Sequence, residues 1–320
     1  MPLSRVKWVC MVVFVVGVVL GLTGWWLIAR LGSFGDMIAL ALPMIGLGAL
    51  TVGVWCIVTH RPWPIVAGFA SLFIVAALAG VVPRLPDTTG PPTDAITLVA
   101  TNMLYDNPTI ERGVASAMAQ HPDVLVVSEL SQDADRLLSA EFPYRLVTER
   151  SLQRENYAEG VYSTFPLEEL DAPTGLDDQM LRVRVTGPAP FILYAVHLPR
   201  PTFGAGGPNG SHSVSFAQNR FDARRLDSLA AAEGEPVVIA GDLNLSDRTS
   251  GYTTLHSDRN DAVRTRWATT SYVGGFIWTL FALRIDHIFI PKDWCAASGG
   301  SFEIVGSDHE GVRSSIGPCA

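Results

Sequence analysis

Before Pro86 the chain consists almost entirely of three apolar stretches, about 8–29, 37–58 and 63–82, and after it the composition changes. At 1.5 Å rise per residue, each stretch is long enough as a helix to cross roughly 30 Å of hydrocarbon. Only Arg5, Lys7, Arg30, Arg61, Arg84 and Asp36 bring charge to residues 1–86. The pattern predicts three transmembrane helices, forming an anchor over residues 1–86. A cleaved leader would account for the first stretch alone, but no small-residue cleavage site follows it, and two further spans remain. Positive charges in the short loops divide as Arg5, Lys7 and Arg61 on one side against Arg30 and Arg84 on the other. This predicts an N-terminus inside and, after three crossings, a multi-pass protein of the cell membrane whose C-terminal domain lies outside the cytoplasm.

A Pro-rich linker over 87–94, with Gly90, Pro91 and Pro92, reads as a stiff spacer leading into a domain of residues 95–320. Of 23 basic and 31 acidic residues, only five and one precede Asp87, which leaves the rest of the chain with a net charge near −12. Sequence-independent binding to duplex DNA needs Lys and Arg to replace phosphate counterions, and no basic run offers them, so nucleic acid is an unfavoured partner. Cys295 and Cys319 are the two cysteines of this region. They permit one disulfide in an oxidising compartment, or two free thiols, and lack the spacing of a zinc or redox site.

Strand-like runs are expected at 96–101, 124–128, 144–148, 160–163, 181–185, 191–196, 236–240, 285–290 and 302–305, with helices at 109–120, 133–140 and 215–232. Strands outnumber helices and the middle of the domain reads as hairpins, so two packed sheets with helices outside fit better than one parallel sheet. The stretch 201–215, rich in Gly, Pro and Ser, reads as a long loop soon after His197.

Chemistry-bearing residues gather where these runs start or stop: Asn102, Glu129, His197, Asp242 with Asn244, Asp286, and Asp308 with His309. A hard cation such as Mg²⁺ takes oxygen ligands and needs only one or two protein carboxylates beside substrate phosphate, which suits Glu129, with Asp308 as a further candidate ligand. His309 can take a proton from water when a carboxylate fixes its tautomer, and Asp286 is the candidate for that role. Asp242 and Asn244, two apart on extended backbone, would face the same way, one orienting water and the other donating to phosphate. Asn102 and His197 add further donors to substrate. Together these are the parts of a metal-assisted phosphoryl displacement: charge neutralisation, positioning and proton transfer.

The ordered segments Thr101-Asn102, Ser128-Glu129-Leu130, Val196-His197-Leu198, Gly241-Asp242-Leu243-Asn244, Arg284-Ile285-Asp286-His287 and Gly306-Ser307-Asp308-His309 resemble the endonuclease/exonuclease/phosphatase superfamily over about residues 95–317. The resemblance implies a four-layer α/β sandwich, two packed mixed β-sheets flanked by helices, and a hydrolase of phosphate esters dependent on Mg²⁺ or Mn²⁺. It makes Glu129 the principal metal ligand with Asn102 near the metal and substrate, Asp286 and His309 an acid–imidazole pair, and His197 a second active-site histidine. Leu104 stands where some nucleases carry a second acidic ligand, and Thr164 where many members have a basic residue.

Three spans joined to such a domain, with His197-Leu198-Pro199-Arg200-Pro201, look similar to membrane proteins associated with teicoplanin and vancomycin resistance in actinobacteria. That resemblance implies a lipid-linked phosphate substrate, undecaprenyl pyrophosphate of cell-wall synthesis. The apolar segment 272–283 leads straight into Asp286, and two accounts of it stand: contact with the bilayer beside the site, or a buried hairpin. A metal-dependent nuclease and a catalytically silent binding module are the competing functional readings.

Overall fold

A computed structural model describes residues 32–59, 90–148, 158–172, 180–201, 216–264, 271–274 and 283–320, with Val12, Val16, Gly68, Asp87, Leu152 and Leu176 as isolated positions. The chain forms two compact units, the first essentially Met1–Arg84 and the second from Leu85 onward. In the first unit, helix α1 (Ser33–Val58) runs for 26 residues and overlaps the second expected span. The expected spans at 8–29 and 63–82 lie outside the described residues, apart from three positions. Counted over the described residues, no helix is long and apolar enough to cross a membrane.

The second unit opens with a crossover: β1 (Ile96–Asn102), α2 (Ile110–Met118) and β2 (Val124–Leu130), the two strands lying parallel. Both strands are buried almost throughout, as continuous apolar runs covered on two faces must be. Helix α3 (Gln132–Glu141) starts at Ser131, whose Oγ accepts from the Ala134 N–H at 3.2 Å, with Asp133 and Asp135 favourably placed in its positive first turn. Strands β3 (Tyr144–Val147) and β4 (Ala158–Ser163) follow. With β11 (Trp294–Glu303) and β12 (Glu310–Pro318) they complete a six-stranded mixed sheet in the order β11-β12-β1-β2-β4-β3.

A second six-stranded sheet is built around a matching crossover, β7 (Phe191–Val196), α4 (Phe216–Ala231) and β8 (Val237–Asp242), again with parallel strands. Its order is β5-β6-β7-β8-β10-β9, with β5 (Leu167–Leu170), β6 (Met180–Val185), β9 (Arg259–Asp261) and β10 (Asp286–Pro291). Leu98, Val126 and Val161 from one sheet meet Val183, Leu193, Val238 and Ile288 from the other in a shared core. Each such side chain contributes about 1.5–3 kcal/mol by leaving water. The outer face of the first sheet is covered by Ile110, Val114 and Ala117 of α2 and Leu138 of α3. That of the second is covered by Ala223 and Leu226 of α4 and Leu255 of α5 (Ser250–Ser257). The result is an α/β sandwich of four layers.

Two details differ from the sequence reading. The described residues of the 87–94 stretch are tied to the domain rather than standing clear of it. Asp87 accepts from the Asp261 N–H at 2.9 Å and pairs with His256 Nε2 at 2.6 Å, and the Thr93 N–H donates to the Pro318 carbonyl at 2.7 Å. The strand expected at 302–305 instead runs from Trp294 to Glu303, because a register shift between Ala297 and Gly300 hides its alternation. Cys295 and Cys319 are joined in a disulfide, with Cα atoms 4.8 Å apart.

Candidate active site

Both crossovers aim the carboxyl ends of their parallel strands at one place, where open α/β sheets bind ligands. Asn102 ends β1, Glu129 lies one residue from the end of β2, His197 directly follows β7, and Asp242 ends β8. Asp286 begins antiparallel β10 and sits opposite Asp242 in the ladder, while His309 immediately precedes β12. Residues spread over some 200 positions thus meet at one edge of the sandwich.

The contacts are specific. Asn102 Nδ2 donates to Glu129 Oε1 at 3.0 Å and to Asp242 Oδ2 at 3.1 Å, joining the two sheets. His309 Nδ1 lies 2.9 Å from Asp286 Oδ2, and its Nε2 faces Asp242 Oδ2 at 3.8 Å. His197 Nε2 approaches that same oxygen at 3.7 Å. Asp242 is therefore flanked by both imidazoles and bridged to Glu129 through one amide. Ser307 ties the His309 turn to β1: its Oγ donates to the Asn102 carbonyl at 2.8 Å and accepts from the His309 N–H at 3.0 Å.

Backbone strain concentrates here. Glu129 has φ +54° within a break in the β2/β4 register, and Leu104 and Asn244 have φ +57° and +50°. Non-glycine residues hold such angles only where the surroundings over-determine them, which happens at functional sites. Gly241 has φ +133°, and a Cβ there would run into the Val196 carbonyl oxygen, so only glycine lets β7 and β8 close up beside Asp242.

Asn244 departs from the expected geometry. The strand ends at Asp242, whose Oδ1 accepts from the Asn244 N–H at 3.0 Å, so the period-two argument fails one residue after the sheet stops. One amide hydrogen of Asn244 goes to the Leu198 carbonyl at 2.9 Å, holding the segment after His197. The Asp308 carboxylate stands outside the Asp242–Asp286–His309 group, although its charge acts on His309. Residues 202–215 and 275–282, from the two segments singled out in the sequence, lie outside the described residues.

Sequence reasoning missed Glu159. It is buried in β4, with Oε1 3.2 Å from His197 Nδ1 and Oε2 accepting from Ser128 Oγ at 2.9 Å. An acid inside the otherwise apolar, Gly-containing run Ala158-Glu159-Gly160-Val161 was the available signal. Ser271 was missed as well; its Oγ accepts the N–H groups of Ile285 and Asp286 at 2.8 and 3.0 Å and fixes the entry to β10.

Each imidazole has its own carboxylate. Burial disfavours the charged form of His197, but Glu159 beside it, with Asp242 and Glu129 beyond, lifts it to about 9. Burial likewise opposes charge on His309, and Asp286 and Asp242 overcome it, raising it to about 10. Burial pushes the Glu159 carboxyl above its ordinary range.

The donor set fits a divalent cation. Ligand atoms of Asp242, Asp286 and His309 lie within 4.8 Å of one another. Asp286 Oδ1 is buried without a hydrogen-bond partner, and among the described residues no Lys or Arg pairs with Glu129, Asp242 or Asp286. Three carboxylates with no Lys or Arg partner among the described residues, and a neutral amide between two of them, make an oxygen-rich site for a hard ion.

The family model for the endonuclease/exonuclease/phosphatase family matches residues 101–309, which span every side chain described above. The chain belongs to this family. The endonuclease/exonuclease/phosphatase fold is shared with a protein of that description from Bacteroides vulgatus, at 17% identity over 70% of this chain and 99% of that one, TM-score 0.52. It is shared also with the human Nocturnin catalytic domain, at 14% over 74% and 99%, TM-score 0.51. An AP endonuclease from Archaeoglobus fulgidus is similar at 13% over 68% and 98%, TM-score 0.52. No curated protein matches the sequence. Members of the family are phosphoesterase and nuclease hydrolases that typically use a divalent metal.

Proposed function

We propose that this protein is a membrane-anchored, divalent-metal-dependent phosphohydrolase that acts outside the cytoplasm on a lipid pyrophosphate or phosphodiester, with undecaprenyl pyrophosphate as the substrate to test first. The observation that carries the hydrolase reading is the meeting of Glu129, Asn102, Asp242, Asp286, His309 and His197 at one sheet edge. Anchoring is supported by the apolar stretches before Pro86 and by Phe34, Trp55 and Val58 of α1, whose side chains stay more than half exposed. Placement outside the cytoplasm is supported by the Cys295–Cys319 disulfide, of a kind that persists in oxidising compartments. The acidic charge of the domain favours a substrate other than nucleic acid.

In this reading Glu129, Asn102 and Asp308 would hold Mg²⁺ or Mn²⁺, and the unpartnered Oδ1 of Asp286 is a further acceptor at the site. The ion, when bound, supplies charge neutralisation at the phosphate and acidifies water. Asp242, fixed by Asn102 and the Asn244 backbone, orients the attacking water. His309, oriented by Asp286, would carry away its proton in the neutral form favoured when a bound cation offsets the carboxylates around the ring, and His197, held by Glu159, returns a proton to the oxygen of the breaking P–O bond.

The test is full-length protein in detergent with Mg²⁺, offered undecaprenyl pyrophosphate and supercoiled plasmid. Phosphate release from the lipid is expected. Nicking of the plasmid without phosphate release would establish a nuclease instead, and inactivity on both would favour a silent binding module.

A further inference from the structure

The segment after His197 is pinned more firmly than a connecting loop requires. The Leu198 N–H donates to the Asp242 carbonyl at 3.0 Å, the Leu198 carbonyl accepts from Asn244 Nδ2, and the Pro199 carbonyl accepts from Asn219 Nδ2 of α4 at 2.6 Å. Asn219 is itself buried. What this bracing presents is Arg200, exposed and, among the described residues, without a hydrogen bond or ion pair. Arg145, Arg182, Arg184, Arg259 and Arg284 all have carboxylate partners.

Arg200 lies within electrostatic reach of Tyr272. Burial first, then the charge of Asp308, hold that phenol above its ordinary range, Arg200 pulls it back, and Asp242 and Glu129 add to the upward push. Tyr272 in turn packs edge-on against the His309 ring, centroids 5.1 Å apart, and bridges to the His309 backbone. A braced, unpaired guanidinium thus acts on the phenol of a tyrosine whose ring packs against the candidate base, at a site rich in carboxylates.

We infer that Arg200, together with Tyr272, forms a specificity subsite for a second phosphoryl group, the one next to the phosphorus under attack. This rests on the proposed pyrophosphate substrate. Acidic side chains repel a pyrophosphate, so the group beyond the reacting phosphorus needs its own donor, and a guanidinium can meet two phosphate oxygens at once. Arg200 determines which ester is held rather than how the bond breaks.

The experiment compares wild type, Arg200→Ala, Arg200→Lys and Tyr272→Phe on undecaprenyl pyrophosphate and on bis(p-nitrophenyl) phosphate, which carries one phosphorus, both with Mg²⁺ in detergent. For R200A the KM for the pyrophosphate should rise roughly 10- to 50-fold with kcat within about threefold, while the diester changes less than about twofold. R200K should recover part of the loss and Y272F should show a smaller loss of the same kind. Equal effects of R200A on both substrates, or none on either, would overturn the subsite and leave the hydrolase standing. Wild-type protein that cleaves the diester but not the pyrophosphate would overturn the pyrophosphate reading, and the subsite with it.

Discussion

Oε1 of Glu159 lies 3.2 Å from Nδ1 of His197, and the carboxylate is 1% exposed. An acceptor at Nδ1 keeps a proton there and turns Nε2 toward Asp242. Replacing Glu159 by Gln removes the negative charge that lifts the imidazole to about 9, so deprotonation moves toward the ordinary 6.5. The expected outcome is a kcat roughly 10- to 100-fold lower, with an alkaline limb displaced to lower pH. A kcat–pH profile of E159Q beside wild type reads both.

Gly241→Ala should be among the most damaging small changes in the domain. The added Cβ meets the Val196 carbonyl oxygen at φ +133°, and relief requires parting β7 from β8 where His197 and Asp242 are set. A loss of about 3 kcal/mol or more is expected, with activity lost alongside it. Urea unfolding of the two proteins gives the difference.

The disulfide gives a contrasting prediction. Cys295 and Cys319 are separated by 24 residues and lie away from the candidate site, on the first sheet's edge hairpin. Cys319→Ser should cost roughly 3 kcal/mol by freeing the unfolded chain, yet leave kcat close to wild type at 25 °C. Reductant should lower the thermal midpoint of wild type and not that of C319S.

Acid should weaken the fold through Asp135. Burial opposes its charge, but Arg145 at 2.6 and 2.8 Å and the Tyr162 hydroxyl at 2.6 Å hold its carboxyl below the ordinary 3.8. A depressed carboxylate stabilises the fold above its unfolded value and loses that contribution as pH falls through the lower folded value. Asp135→Asn should therefore cost about 2 kcal/mol at pH 7, and the gap from wild type should be smaller at pH 3, below the ordinary carboxyl value. Denaturant midpoints at the two pH values test this.

Strands fully buried by the sandwich, such as Ile96–Asn102 and Phe191–Val196, were legible because continuous apolar runs are what two covered faces demand. Their polar end residues pointed to the site for the same reason. Less legible was whatever depends on local backbone. Asn244 turns away after the sheet stops, and β11 carries Gly299 and Gly300 in place of an alternating pattern. Glu159 was hidden because one acid in a strand gains meaning only when the fold brings His197 to it from 38 residues downstream.

The claim at the centre of this account is that these side chains share one divalent cation. Mn²⁺ binding to the full-length protein, followed by electron paramagnetic resonance for wild type, Glu129→Gln and Asp242→Asn, tests it most directly. The account predicts saturable binding by wild type, weakened at least tenfold in each variant whose circular dichroism is unchanged. Mn²⁺ affinity equal in all three proteins would contradict it.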